Sequence, residues 1–212
     1  MIFETAKMSA QQIYHATTQT LLPRPIAWVL TKHSSGHFNL APFSYFTAVS
    51  SDPPLLVFSV GDKAPGEGKD TKVNITSHPY FTIHIPSLGD AAAVTETAAT
   101  LAAEESELVH AGLETVPFEG FDMPRLVNCS VAYGCRLHDI QGIKGAPQSL
   151  VFAHIEQIYI SPEVAQLDTV RKPNGDTSER LVVDASKLNP LARLGGAQYA
   201  GIGAPFEIAR PK

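Results

Sequence analysis

The chain has few of the groups that recognise polyanions or cross membranes. Its 212 residues carry 16 Lys and Arg against 21 Asp and Glu, and the net charge of −5 does not favour nucleic-acid or anionic-membrane partners. No apolar run approaches the about 18 residues of a membrane-spanning helix. The N-terminal sequence MIFETAKMSAQQ lacks the apolar segment of a signal peptide. We therefore expect a cytoplasmic protein with no nucleic acid and no membrane among its partners.

Cysteine is also scarce, and its two occurrences predict neither a disulfide nor a metal site. Cys129 and Cys135 lie six positions apart. In one extended strand they would be about 20 Å apart on the same face, which is too far to form a disulfide. The pair His33 and His37, in a polar turn, has no third ligand nearby. The sequence predicts two small core residues in a reducing compartment and no metal.

Several common catalytic fingerprints are missing as well. No G-x-G-x-x-G follows a predicted strand, and no G-x-S-x-G occurs. Gly68-Lys69 is followed by Asp70, where a nucleoside-triphosphate P-loop requires Ser or Thr. No acid–base pair stands out, so the catalytic residues are unknown at this level. The hydrophobic fraction of 44% and the absence of a linker predict one domain over 1–212, with a core at about 20–200 and a C-terminal tail at 201–212.

The stretch from residue 24 to residue 60 dominates what is present. Its apolar runs Ile26–Thr31 and Leu55–Val60 are bounded by Pro and Gly and predict buried strands. Between them, NLAPFSYFTAVSSDPP interleaves hydrogen-bonding side chains with aromatic rings, a combination that suits a planar ligand with polar edges. The same segment can instead form a hairpin whose aromatic residues pack into the core. Spacing alone leaves both interpretations open.

Two helix starts carry clear signals in the first half of the chain. The sequence from Ser9 to Gln12 matches a capping box and predicts a helix through about Thr18. The glycine-rich loop GDKAPGEGK leads to Asp70, the predicted N-cap of a helix that ends near Ser77. The free amides and positive dipole of such a helix start favour an anion, and Lys69 and Thr71 add donors there.

The second half predicts strands, one long helix and a hairpin. Tyr80–Ile85, Asn128–Leu137 and Gln148–Tyr159 read as strands, with a polar turn over residues 138–145. Ala-rich Asp90–Ala111 predicts a helix whose solvated face carries Glu104, Glu105 and Glu107, and residues 161–184 predict a hairpin-like excursion. His84 and His154 are expected to be satisfied histidines of the barrel or its surface.

RPIAWV, NLAPFSYF, AVSSDPPLLVFSV and the later RLGG-x-x-Y together resemble the flavin-reductase-like family of FMN-binding split β-barrels. This family includes NAD(P)H:flavin oxidoreductases and flavoredoxins. The resemblance spans about residues 20–200. It implies a mainly β fold, a Greek-key barrel of about six or seven antiparallel strands with peripheral helices. It also implies a homodimer with flavin near the subunit interface.

The resemblance implies FMN as the cofactor, with NADH or NADPH as co-substrate. Its motifs, together with the helix start described above, assign cofactor binding to the following residues: Arg24, Asn39, Ala41, Pro42, Phe43, Ser44, Tyr45, Ser59, Lys69, Asp70, Thr71, Asn74 and Tyr199. The backbone amides near Ala41–Ser44 are expected to meet the flavin ring, and the region around Lys69–Thr71 its phosphate.

Three functional interpretations remain open from the sequence. The first is an NAD(P)H-dependent flavin reductase that supplies a partner oxygenase or another redox protein. The second is an FMN-containing electron-transfer protein that does not react directly with NAD(P)H. The third is a flavin-free barrel used for interaction. Binding of flavin separates the third from the others, and reduction by a nicotinamide nucleotide separates the first from the second.

Overall fold

The computed structural model of the chain describes residues 1–64, 66–102, 105–172, 174–209 and 211. Strands make up 42% of the chain and helices 19%, which confirms the predicted mainly β class. The helices are α1 (Ala10–Thr20), α2 (Asp70–Ser77), α3 (Ala91–Glu96), α4 (Glu107–His110) and α5 (Ala185–Leu188), with single 3₁₀ turns at Thr5–Lys7 and Leu88–Asp90.

Eight strands form the main sheet and six short or peripheral ones form three small ladders. The main strands are β1 (Ala27–Lys32), β2 (Phe38–Phe43), β3 (Phe46–Ser51), β4 (Pro54–Ala64), β5 (Glu67–Gly68), β6 (Tyr80–Ile85), β9 (Val131–Gly142) and β10 (Gln148–Ile160). The others are β7 (Thr115–Val116), β8 (Arg125–Leu126), β11 (Ala165–Arg171), β12 (Thr177–Val183), β13 (Ala192–Arg193) and β14 (Tyr199–Ala200).

The main sheet closes on itself at a two-residue link. Its antiparallel order is β2-β1-β6-β9-β10-β4-β3, with β5 paired to β4. β2 and β3 are consecutive in the chain and joined by Ser44 and Tyr45 alone, yet they lie at opposite ends of this order. The sheet must therefore curl into a barrel, and the ladders of the described residues leave it split between β2 and β3. This is the predicted split barrel.

The alternation of side chains along β1 divides the core in two. Ala27 and Val29 point into the barrel, where they join a buried cluster with Phe58, Phe81 and Ile83. Trp28 and Leu30 point to the opposite face, into a second cluster that also contains Leu40, Val94, Leu108, Met123, Leu126 and Leu191. Both faces of β1 are thus buried, which explains the apolar run from Ile26 to Leu30.

Both predicted helix starts are present, but the N-cap of the second helix lies one residue earlier than predicted. Ser9 Oγ accepts from the Gln12 amide and the Gln12 side chain accepts from the Ser9 amide, so the predicted capping box is present. The N-cap of α2 is Lys69 rather than Asp70, which is the first helical residue. Asp70 instead accepts a hydrogen bond from Lys63 Nζ at 2.8 Å. Its carboxylate still lies at the positive end of the helix dipole.

The prediction of one long helix over Asp90–Ala111 is wrong. The described residues of this segment form two short helices, α3 and α4, and residues 97–102 and 105–106 lie outside both. Ala residues favour helix, but the described part of this segment packs over the barrel edge instead. Glu104 lies outside the described residues. Glu107, predicted on a solvated face, is buried, whereas Glu105 is exposed as expected.

The second half of the barrel otherwise contains the predicted strands, with shifted bounds for one of them. β9 begins at Val131 rather than Asn128 and continues to Gly142, so the predicted turn over 138–145 is wrong for residues 138–142, and the turn lies at 143–147. The hairpin predicted in 161–184 is present as β11 and β12. Residues 201–209 form neither helix nor strand. Among the described helices, none is long and apolar enough to cross a bilayer.

Cys129 and Cys135 are free thiols, and each is buried in a different one of the two core clusters. The sequence predicted two core cysteines that do not form a disulfide. Cys129 precedes β9 and therefore does not share a strand face with Cys135. Burial raises the pKa of both thiols far above the ordinary range. Both are kept as neutral, unreactive core groups.

Candidate flavin site

Three adjoining depressions run along the split of the barrel, and together we call them the trough. The first includes Asn39, Phe43 and Thr71, the second includes Phe43, Ser44 and Lys69, and the third includes Arg24 and Ser44. Neighbouring depressions share residues, so they form one continuous surface. Eleven of the thirteen predicted cofactor residues line it, namely Arg24, Asn39, Ala41, Pro42, Phe43, Ser44, Tyr45, Ser59, Lys69, Asp70 and Thr71.

The first depression lies at the start of α2. Asn39 Nδ2 donates to Thr71 Oγ1 at 3.2 Å, so the Thr71 hydroxyl proton remains available for an acceptor in the depression. The amides of Lys72 and Val73 both bond to the Lys69 carbonyl. The preceding amides at the helix start have no acceptor within the helix, as at any helix N-terminus.

The charges around this helix start are mostly paired. Lys63 Nζ lies 2.8 Å from Asp70 Oδ1, and Lys72 Nζ lies 3.4 Å from Asp62 Oδ1. The ion pairs of the described residues include none for Lys69, whose Nζ lies 5.9 Å from the centroid of the Phe43 ring. Lys69 therefore supplies the uncompensated positive charge at this end of the trough.

Glu107 is a wall residue of the trough that the sequence placed in solvent. Its Oε2 accepts a hydrogen bond from the Leu40 amide at 3.2 Å, and Ser106 Oγ donates to the Phe38 carbonyl. These two side chains satisfy backbone groups on the free edge of β2. Burial raises the pKa of Glu107, and the nearby Asp70 carboxylate raises it further. Nothing in the sequence distinguishes Glu107 from its acidic neighbours.

The free edge of β2 determines which of its backbone amides can donate a hydrogen bond to a ligand. Because Leu40 and Phe38 present their backbone groups outward, the alternation of the ladder turns Ala41 and Phe43 toward β1. Pro42 has no amide proton. Among the amides of 41–44, where the ring was expected to bind, that of Ser44 lies in the link after β2 and has no hydrogen-bond partner among the described residues. The split in the barrel thus selects a single backbone donor from this segment.

The far end of the trough is apolar and contains Arg24. This third depression has a volume of ≈ 470 Å³, within the about 300–1,000 Å³ of small-molecule sites. Arg24 is only 5% exposed, and its guanidinium is committed to protein acceptors. Nη1 donates to the carbonyls of Thr18 at 2.8 Å and Leu21 at 3.0 Å, and Nη2 donates to that of Leu194 at 2.9 Å. Nε lies 3.4 Å from Ser44 Oγ.

Two predicted cofactor residues lie outside the trough. Asn74 is buried and its Nδ2 donates to Thr31 Oγ1 at 3.0 Å, so it fastens α2 to β1. The Tyr199 hydroxyl accepts from Thr95 Oγ1 at 3.1 Å, and the Arg193 guanidinium lies 4.5 Å from its ring centroid. The structure therefore uses both side chains in packing contacts between elements.

The two barrel histidines differ in a way that the sequence did not predict. His84 is fully buried, with Nδ1 3.1 Å from the Trp28 carbonyl and Nε2 accepting from the Leu126 amide at 2.9 Å. Desolvation lowers its pKa from 6.5 to about 4, so it is neutral at pH 7. His154, expected to be satisfied, has a buried Nδ1 with no hydrogen-bond partner among the described residues.

Sequence reasoning also missed several residues that border the trough. Tyr14 and Thr18 of α1, with Gln148 of β10, border the second depression, and Thr97–Leu101 cover the first. These positions come from segments far from residue 39 in sequence. No local pattern marks them, because only the closure of the barrel brings them to the split.

Comparison with known proteins identifies the family that has this fold and site. The family model for the flavin reductase like domain matches residues 19–172, most of the chain. The chain belongs to this family. The Bacillus subtilis protein YwrF is similar to this flavin-reductase-like chain, with 32% identity over 216 residues that cover 99% of this chain and 98% of YwrF.

Solved structures show the same fold as this flavin-reductase-like chain. Nitrilotriacetate monooxygenase component B from Bacillus cereus has a TM-score of 0.83 and 29% identity over 98% of each chain. The 2-nitrobenzoate 2-nitroreductase of Pseudomonas fluorescens has a TM-score of 0.82 and 26% identity over 100% of this chain and 96% of that one. A Shewanella frigidimarina protein with a split barrel domain, at 17% identity and a TM-score of 0.80 over the whole of both chains, supports the fold alone.

The donor set of the trough fits a flavin mononucleotide. A phosphate requires positive charge and several donors, and Lys69, the Thr71 hydroxyl and the start of α2 supply them. A planar ring with polar edges requires apolar walls with a few donors, and the Pro42–Tyr45 segment with Ser59 supplies these. The family implies that a flavin takes part in its activity.

Proposed function

We propose that this protein is an FMN-binding, NAD(P)H-dependent flavin reductase that supplies reduced flavin or electrons to an acceptor. The observation that carries the proposal is one continuous trough. It joins the uncompensated Lys69 at the start of α2 to the aromatic and hydroxyl side chains of the β2–β3 link. Membership of the flavin reductase like family supports an oxidoreductase of this kind.

The residues of the trough have separate tasks in this proposal. Lys69 and Thr71 hold the phosphate, the Ser44 amide and hydroxyl face the polar edge of the ring, and Pro42 and Tyr45 contact its apolar face. Bound FMN supplies the transfer of hydride and electrons, which needs no protein acid or base. This accounts for the absence of a catalytic dyad in the described part of the trough.

Two solved structures similar to this chain support two alternative electron acceptors. The likeness to nitrilotriacetate monooxygenase component B, at 29% identity, supports a partner oxygenase that takes up reduced flavin. The likeness to a nitroreductase, at 26% identity, supports a small aromatic acceptor reduced at the site. Release of reduced flavin into solution, measured by trapping on a separate oxygenase, distinguishes the two.

We also propose a homodimer in a reducing, cytoplasmic setting. The outer face of the β3–β4–β10 part of the sheet carries partly exposed apolar side chains, including Val49, Val57 and Phe152. It is continuous with the apolar third depression. A second copy on this face would bring the trough to the subunit interface. The two free buried cysteines agree with a reducing compartment.

The visible absorption spectrum tests flavin binding first. The purified protein is soaked with FMN and desalted, and retained bands at about 375 and 450 nm, which belong to the flavin itself, indicate binding. Anaerobic addition of NADH or NADPH then tests reduction, and bleaching within turnover time is expected. Bleaching only by a protein donor supports the electron-transfer alternative, and a protein that takes up no FMN supports a flavin-free barrel.

Substitution of Lys69 tests the phosphate end. Lys69→Ala is expected to weaken FMN binding by about 1–3 kcal/mol, because a charge-assisted hydrogen bond is lost. Lys32→Ala removes an exposed lysine at the end of β1 and is the matched control. Riboflavin, which has no phosphate, should bind both variants equally. An unchanged dissociation constant for FMN in Lys69→Ala would remove Lys69 from the site.

A further inference from the structure

The N-terminal helix α1 lies outside most of the matched family domain but borders the candidate flavin site. The family model begins at residue 19, so all of α1 except Gln19 and Thr20 precedes it. Tyr14 and Thr18 nevertheless line the second depression, together with Phe43, Ser44 and Lys69. Tyr14 is 58% exposed at the rim of this depression. An exposed aromatic ring beside a site for a planar ligand is a contact surface for that ligand.

Arg24 holds this helix in place. Its Nη1 donates to the carbonyls of Thr18 and Leu21 at the end of α1, where helical carbonyls have no internal partner. Its Nη2 donates to the Leu194 carbonyl in the C-terminal segment. The backbones of Arg24 and Arg193 also exchange two hydrogen bonds, of 3.1 and 2.9 Å. One buried side chain thus joins α1, the entry to β1 and the C-terminal segment.

The end of α1 also packs against the C-terminal segment. A Cβ atom on Gly195 would lie 2.3 Å from Gln19 Oε1, so the end of the Gln19 side chain lies directly against the Gly195 backbone. Gly195 is the first glycine of the RLGG motif. In this structure it meets α1. Arg24 therefore holds the C-terminal end of α1 by hydrogen bonds, and Gln19 packs against Gly195 beside it.

We propose that α1 is a wall of the flavin site, in which Tyr14 contacts the bound isoalloxazine ring and Arg24 acts as the positioning residue. This inference rests on the proposed FMN function and deepens it. Thr18 is only 4% exposed, and its hydroxyl donates to the carbonyls of Tyr14 and His15. Its side chain is therefore committed to the helix itself, and Tyr14 is the residue of α1 that presents a ring to the ligand.

Two substitutions of Tyr14 separate ring contact from phenol chemistry. Tyr14→Ala should raise the dissociation constant for FMN about tenfold, because an aromatic contact is lost. Tyr14→Phe should bind FMN with nearly unchanged affinity, since the ring is kept. A phenol beside a flavin quenches its emission, so both variants should raise the fluorescence yield of the bound FMN. Gln11→Ala, on an exposed position of α1, is the control and should change neither quantity.

Substitution of Arg24 tests the positioning role. Arg24→Lys keeps the charge but loses the planar fork that serves three carbonyls, and it should weaken FMN binding. In the Tyr14→Ala background the same substitution should have a much smaller effect, because the contact that Arg24 positions is already absent. A merely structural arginine would give additive effects. Circular dichroism of each variant checks that the barrel has folded.

The outcomes distinguish this inference from the proposed function. Wild-type protein that retains no FMN would contradict the proposed function itself. Wild-type protein that binds FMN, with affinity and emission unchanged in Tyr14→Ala, would overturn the role of α1 while leaving the flavin function intact. Additive effects of the Arg24 and Tyr14 substitutions would overturn the positioning role of Arg24.

Discussion

His84 is the residue whose chemistry is most changed by folding. Its ring bridges the Trp28 carbonyl and the Leu126 amide inside the protein, and its pKa falls from 6.5 to about 4. Between these two pH values the unfolded chain binds a proton that the folded protein does not. His84 therefore causes no loss of unfolding free energy above about pH 6.5, and its destabilising effect grows as the pH falls toward 4.

The size of this pH effect can be measured with a variant. Over the full window the loss attributable to His84 should reach about 3 kcal/mol of unfolding free energy. Urea unfolding at a series of pH values is the measurement, with His84→Gln compared to wild type. The variant should be less stable at pH 7 but should lose less stability on acidification. Parallel pH profiles would contradict the assignment, and exposed His15→Gln should follow wild type.

Glu107 has the opposite pH dependence. Its pKa is raised by burial, so the folded state favours the protonated acid. Its contribution to stability is fully present below the unfolded pKa and is lost as the pH rises through the folded value. Glu107→Gln keeps an oxygen acceptor for the Leu40 amide without a charge.

We expect Glu107→Gln to be more stable than wild type at neutral pH, with the difference vanishing in acid. Thermal unfolding of both proteins across the pH range measures this. The exposed Glu163→Gln provides a control without a buried carboxyl. A variant less stable than wild type at pH 8 would show that the carboxylate charge itself is needed at the β2 edge.

At this scale, sequence reasoning found the residues that local chemistry marks. The interleaved aromatic and hydroxyl residues around Phe43 and the donors around Lys69 stand out in the sequence, and the structure brings both groups to one trough. Glu107 and Tyr14 could not be found in this way. Their environments depend on packing against β2 and on the closure of the barrel, which no run of neighbouring residues encodes.

Among the elements, the segment after α3 shows how tertiary contacts override helix propensity. Its Ala-rich sequence favours a helix, but Thr97 leaves the helical path to accept a hydrogen bond from Trp28 Nε1 at 2.8 Å. Both side chains are almost completely buried. An indole N–H left without a partner in the core would cost more than the helical turn gains. The sequence contains no local signal for this contact, since 69 residues separate the two partners.

Removal of the Thr97 hydroxyl should therefore affect both stability and the site. Thr97→Val is expected to lower the unfolding free energy by about 1–3 kcal/mol, because the buried indole donor loses its acceptor. It should also weaken FMN binding, since residues 97–101 cover the first depression. Trp28 is the single tryptophan, so its emission reports directly on this contact. Exposed Thr169→Val is the matched control, and equal stability of the two variants would contradict the prediction.

For the whole molecule, the apolar outer face of the sheet predicts self-association. Val49 is the extra residue at the irregularity between β3 and β4 and is 49% exposed. The molecular mass of the wild-type protein, derived from sedimentation, should be twice the 22.8 kDa of one chain. A charge at this position would have to be desolvated in a dimer, so Val49→Lys should shift the protein toward a single chain. Val127→Lys, at a similarly exposed position, should not.

Sedimentation velocity over a range of concentrations measures this equilibrium. A wild-type protein that sediments as one chain at all concentrations would contradict the homodimer. The sequence predicted the barrel at this scale because the strand runs, turns and motifs agree with one another. It did not reveal which outer face stays uncovered, because that depends on where the peripheral helices pack.

The link of Ser44 and Tyr45 between the two edge strands has a consequence for folding. Since β2 and β3 lie at opposite ends of the sheet order, the trough exists only after every intervening ladder has formed. Partly folded chains should therefore have no affinity for flavin, and flavin uptake becomes a reporter of complete assembly. By mass action the ligand should then protect the native state, by about 2.7 kcal/mol at a free concentration of about 100 times its dissociation constant.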